Sequence, residues 1–272
     1  ISVNIALTSE KNEKKPEKKF KIDAKNIIAV ASGKGGVGKS TFSVNLSVAL
    51  KSIGMKVGLL DADIYGPSIP RMMGVSKKPE MNENKKLIPV ENYGIKCMSI
   101  GFILDSEAPT IWRGPMVMKA LEQMFNGVEW GTLDYLIIDL PPGTGDAQLT
   151  LAQSSKLSGS IVISTPQEVA LTDARKGINM FKKVNVDILG IVENMSYFIC
   201  ENCNEKHFIF SQNGGLKEAN KFKVPFLGSI PINKKLRELS DTGIPSCIND
   251  PTSEISNIYI SIAKNLDLLL NN

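Results

Sequence analysis

Residues 33–40, Gly33-Lys34-Gly35-Gly36-Val37-Gly38-Lys39-Ser40, fit the G-x-x-x-x-G-K-[ST] phosphate-loop pattern. The flanking sequence agrees with it. Ile27-Ile28-Ala29-Val30-Ala31 is an apolar, β-type run, and Phe42 to Leu50 is apolar at helical spacing. A strand, a glycine turn and a helix start are what an anion site of this kind needs. Glycines let successive backbone N–H groups curl around one anion. The helix behind them adds the partial positive charge of its N-terminus. The residues expected to cradle phosphate are Gly33, Lys34, Gly35, Gly36, Val37, Gly38, Lys39, Ser40 and Thr41. Lys39 would offset charge on the β- and γ-phosphates, and the Ser40 hydroxyl would face Mg²⁺.

The rest of the chain repeats the strand–helix alternation. Val57 to Leu60 is a buried-type strand ending in Asp61-Ala62-Asp63. Tyr135 to Ile138 is another, ending in Asp139 and the turn Leu140-Pro141-Pro142-Gly143-Thr144-Gly145-Asp146. Apolar residues closed by an aspartate have the form that holds the Mg²⁺ shell of a phosphoryl-transfer site. Ser160 to Thr165, Ile188 to Val192 and Phe226 to Pro231 read as further strands, the second leading into Glu193-Asn194. Helices are expected over Trp112–Phe125, Gln167–Lys183, Lys234–Asp241 and Ile255–Leu270. The polar stretch 75–94 reads as an exposed insertion or hairpin, and Ile95 to Ile100 as a strand in which Cys97 is a small buried hydrophobe. The fold class is α/β, a doubly wound, mainly parallel sheet flanked by helices. Its candidate sites fall at the carboxyl ends of strands, where such sheets bind ligands.

Composition narrows the function classes. With 272 residues and 42% apolar content, the chain builds a substantial core. A net charge of +4 gives no argument for a nucleic-acid partner. No apolar run approaches the roughly 20 residues of a membrane span. The tail from Ile255 has one basic residue, Lys264, which argues against a basic amphipathic membrane anchor. A cytoplasmic location is the expectation. The chain starts at Ile1, with no signal-peptide pattern, so a fragment or processed form is expected. Residues 1–8 alternate like one short strand, 9–24 read as a charged linker and 25–272 as the phosphate-loop domain.

The cysteines are Cys97, Cys200, Cys203 and Cys247, too few for a disulfide scaffold in a chain of this length. Cys247 reads as structural. Cys200-Glu201-Asn202-Cys203 places two thiolates at the spacing that grips one metal or one edge of a cluster. A tetrahedral sulfur site needs four ligands, and a two-fold dimer would supply the missing pair. Zinc and iron–sulfur clusters both accept four thiolates, so the residues leave the two open. His207, the only histidine, lies near Cys203 and is a candidate ligand, with a surface loop residue as the preferred reading because no second histidine supports it.

The K-G-G-x-G-K-[ST] form around Lys34 resembles the deviant Walker A motif of the MinD/ParA/nitrogenase-iron-protein class. That resemblance implies that Lys34 reaches across a homodimer closed by ATP, that Asp63 orients the attacking water and that Asn194 contacts the base. The larger pattern resembles the Mrp/ApbC family of iron–sulfur cluster carriers. It comprises Gly33–Thr41, Asp61–Pro70, Trp112–Pro115, Asp139–Asp146 and Met195-Ser196-Tyr197-Phe198-Ile199-Cys200 through Cys203. Glu201 stands where that family usually has proline, and the resemblance implies that residues 1–8 are a remnant strand of a preceding small domain and that 25–272 are an ATPase domain. The resemblance implies an ATP hydrolase using Mg²⁺, with catalytic Lys34, Lys39 and Asp63 and with Ser40 and Asp139 at the metal. It also implies a [4Fe–4S] cluster on Cys200 and Cys203, bridged in a homodimer and passed to apo iron–sulfur proteins. The alternatives are a positioning ATPase of the MinD/ParA type and a dimer with structural zinc.

Overall fold

The computed structural model describes residues 22–103 and 114–271. The expected remnant strand, the linker up to residue 21 and the helix start at Trp112-Arg113 lie outside the described residues.

The phosphate-loop strand β1 (Ala24–Ser32) runs through the middle of the sheet. It pairs in parallel with β5 (Leu133–Asp139) on one side and β6 (Gly159–Ser164) on the other. Beyond β5 lie β2 (Val57–Asp61), β4 (Ile95–Ser99) and the antiparallel edge strand β3 (Val90–Asn92). Beyond β6 lies β7 (Ile188–Ile199), which takes β9 (Phe226–Ile232) in parallel and the two-residue β8 (Lys206–His207) antiparallel. The helices are α1 (Lys39–Ser52), α2 (Ile69–Met72), α3 (Gly114–Asn126), α4 (Asp146–Ser154), α5 (Glu168–Lys183), α6 (Gly214–Phe222), α7 (Lys234–Thr242), α8 (Ser246–Asn249) and α9 (Glu254–Asn271).

Strand periodicity explains why both faces are covered. In β1, Ile28 and Val30 join one core with Phe42, Leu46, Ile137, Tyr259 and Ile262, which brings α1 and α9 onto that face. Ile27, Ala29 and Ala31 join the other with Leu121, Phe125, Ile178 and Phe181, from α3 and α5. Each large side chain buried this way contributes about 1.5–3 kcal/mol. The Tyr135 hydroxyl donates to Asp267 at 2.6 Å, tying β5 to α9 with a satisfied polar group rather than a void.

Within the described residues the expected elements are present, with one correction that matters for the site. The strand from Ile188 does not stop at Val192; it continues to Ile199. Met195 takes φ 54°, and the register with β9 shifts between Asn194 and Phe198. The apolar run ends at Val192 because Glu193 and Asn194 are polar, but both are buried and hydrogen-bonded in the fold, so the change of polarity does not end the strand. The stretch 75–94 folds back through a Met81–Leu87 bridge and then supplies β3.

The register sets the site. Asp139 is level with Asp61 on one neighbour and with Val30 on the other. The loop that follows β1 therefore emerges beside both acid-tipped strand ends.

Candidate functional site: a braced phosphate loop and a cysteine hairpin

The loop is held from behind by the neighbouring strands and helices. Gly36 and Gly38 take φ 80° and 83°, conformations that favour glycine. A Cβ on Gly33 would lie 2.2 Å from the Asp173 carbonyl carbon of α5. One on Gly38 would lie 2.1 Å from the side-chain nitrogen of Asn194. That nitrogen donates to the Val37 carbonyl at 2.8 Å, so Asn194 braces the loop from β7. The Ser32 hydroxyl donates to the Lys34 carbonyl at 2.9 Å. On the open side, a Cβ on Gly35 or Gly36 would meet nothing within 4 Å. A cleft of about 210 Å³ lies there, walled by the loop, Asp63 and Pro142. Gly38, at the N-terminus of α1, has no side chain to cap that end, which leaves its first N–H groups free to face an anion.

The acids converge beneath the loop. The Lys39 ammonium lies 2.8 Å from Asp139 Oδ2 and 3.3 Å from Ser40 Oγ. The Ser40 hydroxyl donates to Asp139 Oδ2 at 2.6 Å, and the Ser43 hydroxyl to Oδ1 at 2.7 Å. Ser40 and Asp139 thus present hard oxygen donors together, a set that fits Mg²⁺. Asp61 is turned to a different task. Its carboxylate accepts from the N–H groups of Asp63, Ser68 and Ile69 and from the Ser99 hydroxyl. It therefore clamps the turn that carries Asp63. Burial, and then the neighbouring Asp139 charge, push Asp61 up to about 7, with the Ile69 N–H, Lys39 and Ser99 pulling the other way. Asp63, half-buried at the cleft wall, is raised by burial, while Lys39 pulls it down. A carboxylate with a raised pKa beside a phosphate cradle is suited to hold a water molecule.

Lys34 is half-buried, and among the described residues no carboxylate pairs with it.

The cysteines lie elsewhere, at the tip of the β7–β8 hairpin. Cys200 follows the last residue of β7, and its N–H donates to the Glu205 carbonyl at 3.0 Å, closing the turn. Asn204, at φ 59°, donates back to the Cys200 carbonyl at 2.9 Å. The N–H groups of Cys203 and then Asn202, and the Cys203 thiol, face the Cys200 sulfur and lower its pKa, against Glu201. Thiolate is the form that binds metal, so the turn favours the reactive state of Cys200. Cys203 is exposed, whereas Cys97 and Cys247 are buried and their thiols are raised by burial. Cys97 and Cys247 are thus enclosed in the core, while Cys200 and Cys203 reach the surface.

Sequence reasoning missed Ser43, Ser99 and Glu193. Ser43 reaches Asp139 from one helical turn after Ser40, a spacing visible in the sequence but shared by many core serines. Ser99 completes the Asp61 clamp through strand pairing that spacing does not reveal. Buried Glu193 accepts from the Gly215 N–H at 2.6 Å and anchors the start of α6. The Cys203, Glu205 and His207 ligand atoms all lie within 4.8 Å of one another. No helix of the described residues is long and apolar enough to cross a membrane.

Comparison with known proteins agrees with this geometry. The family profile described as "ParA: NUBPL iron-transfer P-loop NTPase" matches residues 23–267. An Arabidopsis thaliana protein named iron-sulfur protein required for NADH dehydrogenase, mitochondrial, is 55% identical over 89% of this chain and 78% of its own length. An Aquifex aeolicus iron-sulfur cluster carrier protein is 52% identical over 88% of this chain and 66% of its own. Among solved structures, a nucleotide-binding protein from Archaeoglobus fulgidus, in complex with ADP and with Co found by PIXE, is 44% identical. It superposes with a TM-score of 0.72 over 81% of this chain and 87% of that one. A profile match across nearly the whole chain, and relatives above half identity, place this chain in the NUBPL iron-transfer branch of the ParA P-loop NTPases, the family of iron–sulfur cluster carriers.

Proposed function

We propose that the chain binds and hydrolyses ATP and carries a [4Fe–4S] cluster that it delivers to apo iron–sulfur proteins. The observation that carries this reading is the pairing of an exposed two-thiol hairpin with a braced phosphate loop on one rigid sheet. Cys200 and Cys203 supply two thiolates, and a second copy of the chain supplies two more. The same homodimer gives Lys34 a phosphate to reach in the opposite copy.

In this reading the N–H groups of residues 35–41 and Lys39 hold the phosphates. Bound Mg²⁺ would supply charge neutralisation on the β- and γ-phosphates, held by Ser40 and Asp139. Asp63 orients the water that attacks the γ-phosphate, and the Asp61 clamp fixes Asp63 in place. Lys39, and Lys34 from the partner, offset charge that develops on the departing phosphoryl oxygens. The ADP in the Archaeoglobus fulgidus relative supports an adenine nucleotide in this cleft.

The test is anaerobic reconstitution with iron and sulfide, followed by iron, sulfide and mass per particle. Four irons and four sulfides per two chains are expected. Cys200→Ala or Cys203→Ala should abolish them while leaving ATP binding intact. Full cluster content in either variant overturns the reading.

A further inference from the structure

A second cavity, of about 560 Å³, shares Asp63 and Pro142 with the nucleotide cleft and opens between α3, α4 and the turn after β5. Its apolar wall includes Pro141 and, from α3, Val117 and Met118. Gln148, in the first turn of α4 and only 1% exposed, lines it too. The Gln148 side-chain nitrogen donates to the Pro141 carbonyl. The side-chain oxygen is buried and has no partner. The sequence explains why. Pro141 and Pro142 have no N–H, so the turn that accepts from the amide has no donor at those positions to return. A buried acceptor without a donor costs free energy, and a ligand that brings one is favoured there.

The charges of the lining agree. Asp63 has no ion pair among the described residues. Its carboxylate meets the N–H groups of Gly66 and Tyr65, which leave acceptor capacity unused. Lys39 attracts it from the nucleotide side but is itself paired with Asp139. None of the described lining residues is Lys, Arg or His. Tyr65, largely exposed at the same cavity, adds an aromatic ring, and ring faces attract cations.

We propose that this cavity binds a small organic cation, an apolar ring or chain bearing one ammonium or amidinium group, with Asp63 and Gln148 as its acceptors. The volume is that of a small-molecule pocket, and the lining has the usual form of an apolar wall with a few convergent polar groups. Asp63 belongs to both the cavity and the nucleotide cleft, so a bound cation that holds the carboxylate slows hydrolysis. Binding rests on the cavity alone; the effect on hydrolysis rests on the role proposed above for Asp63.

The test is calorimetric titration of the nucleotide-free full chain with benzamidine, and with benzamide as its neutral isostere. One benzamidine per chain is expected. Benzamide should bind about tenfold more weakly, the worth of one charge-assisted hydrogen bond. Asp63→Asn should abolish that preference, and Gln148→Met should weaken benzamidine several-fold. Met118→Trp enlarges a half-buried wall residue and should block binding. Unchanged thermal unfolding and ADP binding in Met118→Trp serve as the folding control. Equal affinity for benzamidine and benzamide, or full affinity in Met118→Trp, overturns the site. Saturating benzamidine should slow ATP hydrolysis. Binding as expected with an unchanged rate would keep the site and overturn the role of Asp63 instead.

Discussion

The Lys39 ammonium lies 2.8 Å from the Asp139 carboxylate, and the two side chains are only 6% and 0% exposed. The pair is a link between the phosphate loop and the metal-side strand. Removing one partner of a buried pair leaves the other charge without compensation, which costs about 3–5 kcal/mol. Lys39→Met is therefore expected to lose ATP binding and also to destabilise the fold by about that amount, within urea-denaturation error. Lys39→Met/Asp139→Asn should recover much of the stability and none of the binding. A double variant no more stable than Lys39→Met would show that the pair carries no buried charge cost.

Asp61 makes the fold pH-sensitive in a stated direction. Its pKa rises from 3.8 in the unfolded chain to about 7 in the fold, chiefly through burial and then through Asp139. Between those values the folded protein holds a proton that the unfolded chain has released. The Asp61 contribution is thus present in full below about pH 4 and is lost as pH rises through about 7. Asp61→Asn cannot titrate, so its stability should fall less between pH 5 and pH 8 than the wild type does. Parallel slopes of urea midpoint against pH for the two proteins would refute this assignment.

The phosphate loop, both acid-tipped strands and the cysteine pair are legible in the sequence because each is local. A glycine pattern, a strand-end aspartate and a two-residue spacing all lie within ten residues. What the sequence does not disclose depends on register. Ser99 and Asp61 are thirty-eight positions apart and meet only because β4 pairs with β2. Asn194 meets Val37 across 157 positions, through β6 and the continuation of β7. Glu205 and His207 look like surface polar residues until the hairpin sets them on one face. Strand length failed at Val192 for the same reason: Glu193 and Asn194 read as polar loop residues, and only their tertiary partners show them buried in the strand.

Asn194 braces the loop, and this gives a readout that a base contact would not. Its amide nitrogen is spent on the Val37 carbonyl and sits where a side chain on Gly38 would go. Asn194→Ala should cost about 1 kcal/mol for the lost hydrogen bond and loosen the cradle for any nucleoside triphosphate. ATP and GTP affinities are expected to fall by the same factor in equilibrium binding. A loss confined to ATP would assign Asn194 to the base instead.

Lys34 separates the phosphate cradle from the dimer. Its backbone carbonyl is fixed by the Ser32 hydroxyl, so the loop keeps its shape when the side chain is removed. The ammonium is half-buried without a carboxylate partner among the described residues, so its deletion leaves no buried charge unpaired. Lys34→Ala should therefore keep wild-type stability and Mg-ATP affinity within a few-fold, unlike Lys39→Met. If the side chain acts on the nucleotide of the opposite copy, the variant will lose ATP-dependent dimerisation and its hydrolysis rate will fall by about 10²–10³, the loss seen when one charge-stabilising donor is removed. Mixing Lys34→Ala with a hydrolysis-dead Asp63→Asn chain completes the test. In the mixed dimer, intact Lys34 from the Asp63→Asn copy faces the intact Asp63 site of the other. Recovered turnover in the mixture is expected; no recovery, with dimers present, would mean that Lys34 works within its own chain.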